Sequence, residues 1–172
     1  MTLKLVNSFM NATPIYDAAL ILLRELVNLK KENECFSFNH KDNFKDRPKA
    51  FLKEWCTIRI GSHRRAGHST AMMQLAIEQL SCQNSSVCLV FYSHKMEKRC
   101  TSEWRNSLTN GKGKCVVTTV NSLCHCRIPC ETFDLVLVDC ASLFSKTQMD
   151  KLYDCLTPSV TSDKSPIIIL FE

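Results

Sequence analysis

Short apolar segments alternating with helix-patterned ones predict an α/β protein: three α/β/α layers around a mainly parallel central sheet, preceded by an N-terminal helix. Two observations carry this. Val87 to Tyr92 (VCLVFY) and Pro166 to Phe171 (PIIILF) are apolar on both faces, as central parallel strands covered by helices must be. Between such runs lie amphipathic stretches of helical period. The 172 residues, 45% hydrophobic and 23% charged, suit one globular domain with a sizeable core.

Taken in order, Thr13-Pro14 marks a helix start, with Thr13 as N-cap and Pro14 in the first turn. Ile15, Ala18, Ala19, Leu22, Leu26 and Leu29 follow at helical spacing, and Leu20, Ile21, Leu23 and Val27 widen the apolar face. A helix so apolar is buried on most sides or packs on a protein partner. Cys35 to Lys49 is polar and basic and reads as a connecting loop, with Pro48 as a stop signal. Ala50 to Trp55 suits a short helix.

Strands are predicted at Trp55–Ile60, Val87–Tyr92, Cys115–Val120, Phe133–Asp139 and Pro166–Phe171. Helices are predicted at Ser69–Leu80, about Lys95–Ser107 and Ser145–Leu156, with a turn at Asn110–Gly113. The chain is expected to be one domain over 1–172. Residues 1–49 form its helix and basic loop, and residues 50–172 its α/β core.

The net charge of +5 is unevenly spread. Lys41 to Arg65 holds eight basic residues against three acidic ones, and His94 to Lys114 six against two. Clustered positive charge favours phosphate-bearing partners. In the second stretch Lys95, Lys98, Arg99, Arg105, Lys112 and Lys114 are the candidate nucleic-acid contacts, with Trp104 as a ring for stacking bases.

Eleven cysteines in no secreted pattern point to an intracellular, reducing compartment. No uninterrupted apolar run is long enough to span a membrane. Cys124, His125, Cys126 and Cys130 lack the paired spacing of a zinc site, and zinc is not expected.

The segment Gly61-Ser62-His63-Arg64-Arg65-Ala66-Gly67-His68-Ser69-Thr70 follows a strand and opens a helix. Backbone N–H groups in such a loop point at a bound phosphate, and the helix dipole adds a favourable field. The segment resembles the Walker A loop of P-loop NTPases, in particular the RecA-like ATPase core of phage terminase large subunits and helicase-like ATPases. On that resemblance Gly67 matches the second motif glycine, Ser69 the magnesium-binding hydroxyl and Arg64 the loop arginine, with Arg65 beside it. Ser62 stands where the first glycine usually is, and His68 where the lysine is. Unlike lysine, histidine carries no constant charge near neutrality.

Val136-Leu137-Val138-Asp139 resembles a Walker B strand whose aspartate holds magnesium. Cys140 stands where the family's water-orienting glutamate usually is. Val117 to Leu123 resembles the strand-end segment that contacts a nucleic-acid backbone. The resemblance covers Trp55 to Glu172 and implies ATP and magnesium as ligands and nucleic acid, DNA rather than RNA, as partner. The implied setting is viral DNA replication, transcription or packaging, in the host cytoplasm.

Three functions follow: a nucleic-acid-binding P-loop protein without independent ATPase activity; an ATPase completed by a partner subunit; and a P-loop scaffold for protein contacts through the N-terminal helix.

Overall fold

The computed structural model describes residues 14–32, 47–61, 67–82, 85–109, 112–125, 133–160 and 165–172. The elements run α1 (Pro14–Glu32), α2 (Pro48–Trp55), β1 (Thr57–Ile60), α3 (His68–Cys82), β2 (Ser86–Phe91), α4 (His94–Thr109), β3 (Lys114–Thr119), α5 (Val120–His125), β4 (Leu135–Val138), α6 (Lys146–Leu156) and β5 (Ile167–Phe171). The five strands form one sheet in the order β1-β5-β4-β2-β3, and every pairing is parallel. The three-layer α/β/α class is the one expected.

Side chains alternate along each strand, and the alternation divides the core in two. Val87, Leu89, Phe91, Leu135, Leu137, Ile167 and Ile169 face α1, α3 and α4. Cys88, Val90, Val136, Val138, Ile168 and Leu170 face α2, α5 and α6. The crossovers follow the same division. The chain moves outward from β1 to β2 to β3 through α3 and α4 on one face, then returns to β4 and β5 through α5 and α6 on the other. Reversing direction while keeping one crossover hand requires that change of face. Each fully buried Leu, Ile, Val or Phe side chain contributes about 1.5–3 kcal/mol through lost water contact, so β2, β4 and β5, buried on both faces, anchor the domain.

Several local readings change. Pro48 is no stop: it starts α2, where its fixed φ suits the first turn. Helix α2 runs through Trp55, so β1 begins only at Thr57. Most of the predicted 35–49 loop lies outside the described residues. In α1 the buried stripe is Ile15, Ala19 and Leu23, while Ile21, Leu22 and Leu29 are exposed; the apolar face was wide enough to admit either stripe. Val120 is not the end of a strand but the first residue of α5, an unpredicted six-residue helix. Helix α6 opens with a reciprocal cap: the Gln148 N–H donates to Ser145 Oγ at 3.2 Å, and the Ser145 N–H donates to Gln148 Oε1 at 2.9 Å.

Gly113 fixes how β3 leaves the turn after α4. Its N–H donates to the Leu80 carbonyl at 3.1 Å. A Cβ there would lie 2.2 Å from the Ser85 carbonyl oxygen and 3.1 Å from the Leu80 side chain. Backbone on one side and a buried side chain on the other leave no room. Gly113→Ala is expected to cost about 1–3 kcal/mol or more, read as a lowered urea midpoint with an unchanged slope.

Candidate functional site

The carboxyl ends of the strands carry the candidate site. The connection after β1 turns to the α3 face, and the connection after β4 turns to the α6 face. The two strands are separated only by β5, and α/β sheets bind ligands at the carboxyl ends of strands where connections diverge to opposite faces. Gly61 is exposed at the end of β1. Ser62, His63, Arg64, Arg65 and Ala66 lie outside the described residues. Gly67 has φ 90, a left-handed backbone that glycine adopts without penalty, and its carbonyl accepts the Ala71 N–H at 2.8 Å to start α3. His68, Ser69 and the exposed Thr70 form the first turn.

Asp139 follows β4 directly and extends its ladder, its N–H donating to the Val90 carbonyl at 2.9 Å. Its side chain is fully buried, at 0% exposure. Ser69 Oγ donates to Asp139 Oδ2 at 2.8 Å, and the Cys140 thiol lies 3.6 Å from Oδ1. Ser69 and Asp139 are 70 residues apart in the chain. Only the packing of α3 beneath the sheet brings them together.

Burial pushes the Asp139 carboxyl above the usual carboxylate range. The Ser69 and Cys140 hydrogen bonds and a nearby His68 charge offset part of that. Even with the Ser69 hydroxyl, the Cys140 thiol and the Cys140 backbone as hydrogen-bond partners, burial prevails and the carboxylate is under-compensated. It is therefore suited to sharing a cation.

His68 does not reach Asp139 by a hydrogen bond. Among the described residues its buried Nε2 has no hydrogen-bond partner, and its ring sits 6.4 Å from that of Phe171, tilted by 54°. Cys140 has φ 52 and ψ 45, a left-handed conformation unusual for a residue with a side chain. It turns the chain sharply from β4 into the short helical turn Ala141–Leu143. Burial, with Asp139 beside it, pushes its thiol up to about 11. A neutral thiol at that position cannot act as a carboxylate base.

The predicted basic residues do not gather at one end. Lys95, Lys98 and Arg99 are exposed on the first turns of α4, near the carboxyl edge of the sheet. Lys112 and Lys114 precede or open β3 at the opposite edge, and Arg105 lies toward that edge on α4. A helix of 16 residues separates these ends by about 24 Å. Trp104 is not an exposed stacking ring, because it is half-buried against the α1–α3–α4 core. Tyr92, by contrast, lies just past β2, is 39% exposed and meets Phe144 edge-on at 5.7 Å.

Sequence reading missed a polar network on the same edge. His94 Nδ1 lies 2.8 Å from Glu97 Oε2, and its Nε2 lies 3.4 Å from Ser122 Oγ. Thr119 Oγ1 donates to Ser122 Oγ at 3.0 Å. The signal was position: His94 and Ser122 each stand three residues past a strand end, where α/β folds gather ligand contacts. The side chains of Cys124 and His125, with Cys126 and Cys130, lie outside the described ones. Among the described residues no cluster of three His, Cys, Asp or Glu side chains could hold a metal, and no helix is long and apolar enough to cross a membrane.

No family model and no curated protein sequence matches the chain. Among solved structures it is similar to the ATPase domain of the large terminase of Thermus phage P74-26, with a TM-score of 0.48 and 10% identity over 73% of this chain. The chain spans 63% of the length of that structure.

Asp139 yields a stability test with a definite sign. A carboxyl whose folded pKa is raised stabilises the fold fully below its unfolded pKa of about 3.9. That stability is lost as pH rises through the folded value. Asp139→Asn keeps an acceptor for Ser69 Oγ and removes the charge. It is expected to raise the urea midpoint at about pH 7.5, with the gain shrinking toward about pH 4; a lower midpoint at neutral pH would contradict the burial account.

Proposed function

We propose that this chain is a P-loop-type phosphate-binding domain that holds nucleic acid and does not hydrolyse nucleotide on its own. The observation that carries the reading is the 2.8 Å contact between Ser69 Oγ and the buried Asp139 carboxylate. It joins the first turn of a helix that opens after a glycine-containing loop to the end of a central strand. Magnesium favours a few protein oxygens and keeps its remaining shell as water and phosphate, and one hydroxyl with one carboxylate fits that demand. Ser69 and Asp139 would hold the ion of a magnesium nucleotide; the ion would neutralise phosphate charge. The N–H groups at the start of α3 would face the phosphate itself.

The hydrolytic parts are the ones that do not fit. Phosphoryl transfer depends on fixed positive charge at the outer phosphates and on a group that orients the attacking water. His68 directs its ring toward Phe171, and Cys140 offers a neutral thiol. Nucleic acid would be held by Arg64 and Arg65, which follow β1 in sequence, with Lys95 and Arg99 of α4. The setting that the sequence resemblance implies, viral DNA replication, transcription or packaging, belongs to this proposal.

The direct test is a salt-dependent titration with single- and double-stranded DNA, run beside an ATPase assay. Affinity is expected to fall steeply with salt, and an Arg64→Ala, Arg65→Ala double variant to reduce the log–log slope by about 2. No ATPase rate above background is expected, with or without DNA. An unchanged slope in the double variant, or a rate abolished by Asp139→Ala, would overturn the reading.

A further inference from the structure

A second feature lies away from the phosphate loop. Strand β3 is the last in the sheet, and no described strand pairs with its outer edge. Alongside that edge, beneath α4, opens a groove of about 610 Å³. Its floor is apolar: Leu108 from α4, with the half-buried Cys115 and Val117 from β3. Burial pushes the Cys115 thiol up to about 11, so the floor carries no charge at neutral pH. Lys98 and Arg105 stand on the rim, and neither has an ion pair among the described residues.

The groove's hydrogen-bonding groups decide what fits. The hydroxyls along its α4 wall are already used. Thr101 Oγ1 donates to the Glu97 carbonyl at 2.8 Å, Ser102 Oγ to Arg99 at 2.9 Å and Thr109 Oγ1 to Arg105 at 3.0 Å. Among the described residues, what the groove still offers is the strand edge beside Cys115 and Val117, and a strand edge presents backbone donors and acceptors in alternation. A phosphodiester chain supplies only acceptors and leaves the edge carbonyls unmatched. A polypeptide supplies both. Dimensions agree: α4 from Lys98 to Thr109 spans about 17 Å at its rise per residue, the length of about five extended residues.

We propose that an extended acidic segment of a protein partner adds to β3 as a sixth strand. On the α4 side it places two carboxylates opposite Lys98 and Arg105, with an apolar side chain between them over Cys115 and Val117. Charge complementarity selects the partner, and main-chain pairing supplies much of the affinity. This proposal does not rest on the phosphate-loop reading, because it uses neither Ser69, Asp139 nor the loop arginines.

The test uses the whole chain and a capped heptapeptide, Thr-Glu-Thr-Val-Thr-Glu-Thr. Its companions are the same peptide with lysine for glutamate and the same peptide N-methylated at alternate residues. Binding and backbone amide exchange are followed together. The glutamate peptide is expected to bind and to slow exchange in β3, while both companions fail. Lys98→Glu with Arg105→Glu, at exposed positions, is expected to weaken it by roughly tenfold or more.

Absence of binding, equal binding of the N-methylated or the lysine peptide, or protection outside β3 would overturn the proposal. So would an oligothymidine that protects the same amides and is lost in the same double variant, which would make the groove a nucleic-acid surface. Loss of DNA binding in the loop-arginine variant with the peptide still bound would leave this inference standing on its own.

Discussion

A carboxylate fully removed from water, held by a serine hydroxyl from the start of α3 and by the neighbouring Cys140, is the constraint around which this molecule is arranged. Asp139 follows a strand that is buried on both faces, and its own side chain is fully buried at the carboxyl edge of the sheet. Ser69 can reach it only if α3 starts at Gly67 with a left-handed backbone and then passes directly under the sheet. The geometry of β1, of the loop and of α3 is therefore tied to the chemistry at the end of β4. An ionised group so placed works against folding, and natural sequences retain such groups where they act on a ligand.

The same edge holds the features on which the proposed binding without hydrolysis rests. Cys140 adopts a left-handed backbone and keeps its proton. His68 is turned toward Phe171, with its Nε2 buried and unpartnered among the described residues. Both residues flank the Ser69–Asp139 contact. Ser69 and Asp139, proposed to position a ligand, are each adjacent in sequence to one of these two residues. The basic residues have separated, with one group near the carboxyl edge and another at the far end of α4.

The fold was legible wherever one physical signal dominated. VCLVFY and PIIILF read as central strands because burial on both faces removes alternation, and the structure places them as β2 and β5. The helix expected at Ser145–Leu156 appears as α6, one residue shorter at its start. The misreadings arose where two signals competed. Helix α1 is apolar on most sides, so periodicity could not decide between Ala18–Leu22–Leu29 and Ile15–Ala19–Leu23. Helix α5 begins with Val120 and is too short for a helical period to show against the strand before it.

Within the site, Ser69 and Asp139 could be singled out because their segments resemble the Walker A and Walker B motifs. The network of His94, Ser122 and Thr119 and the groove along β3 depend on strand order, which a single sequence does not display. Trp104 went astray for a related reason: neighbouring lysines suggested exposure, while its helical phase with Met96 and Cys100 placed it against the core.

A calorimetric titration of magnesium ADP into the wild-type chain and the Asp139→Asn variant tests the central claim most directly. The account predicts saturable, magnesium-dependent binding to the wild type, weakened roughly tenfold or more by the substitution and weakened in the wild type as pH falls through the raised Asp139 titration. Equal affinity in the two proteins, or binding indifferent to magnesium, would show that the buried carboxylate serves no ligand.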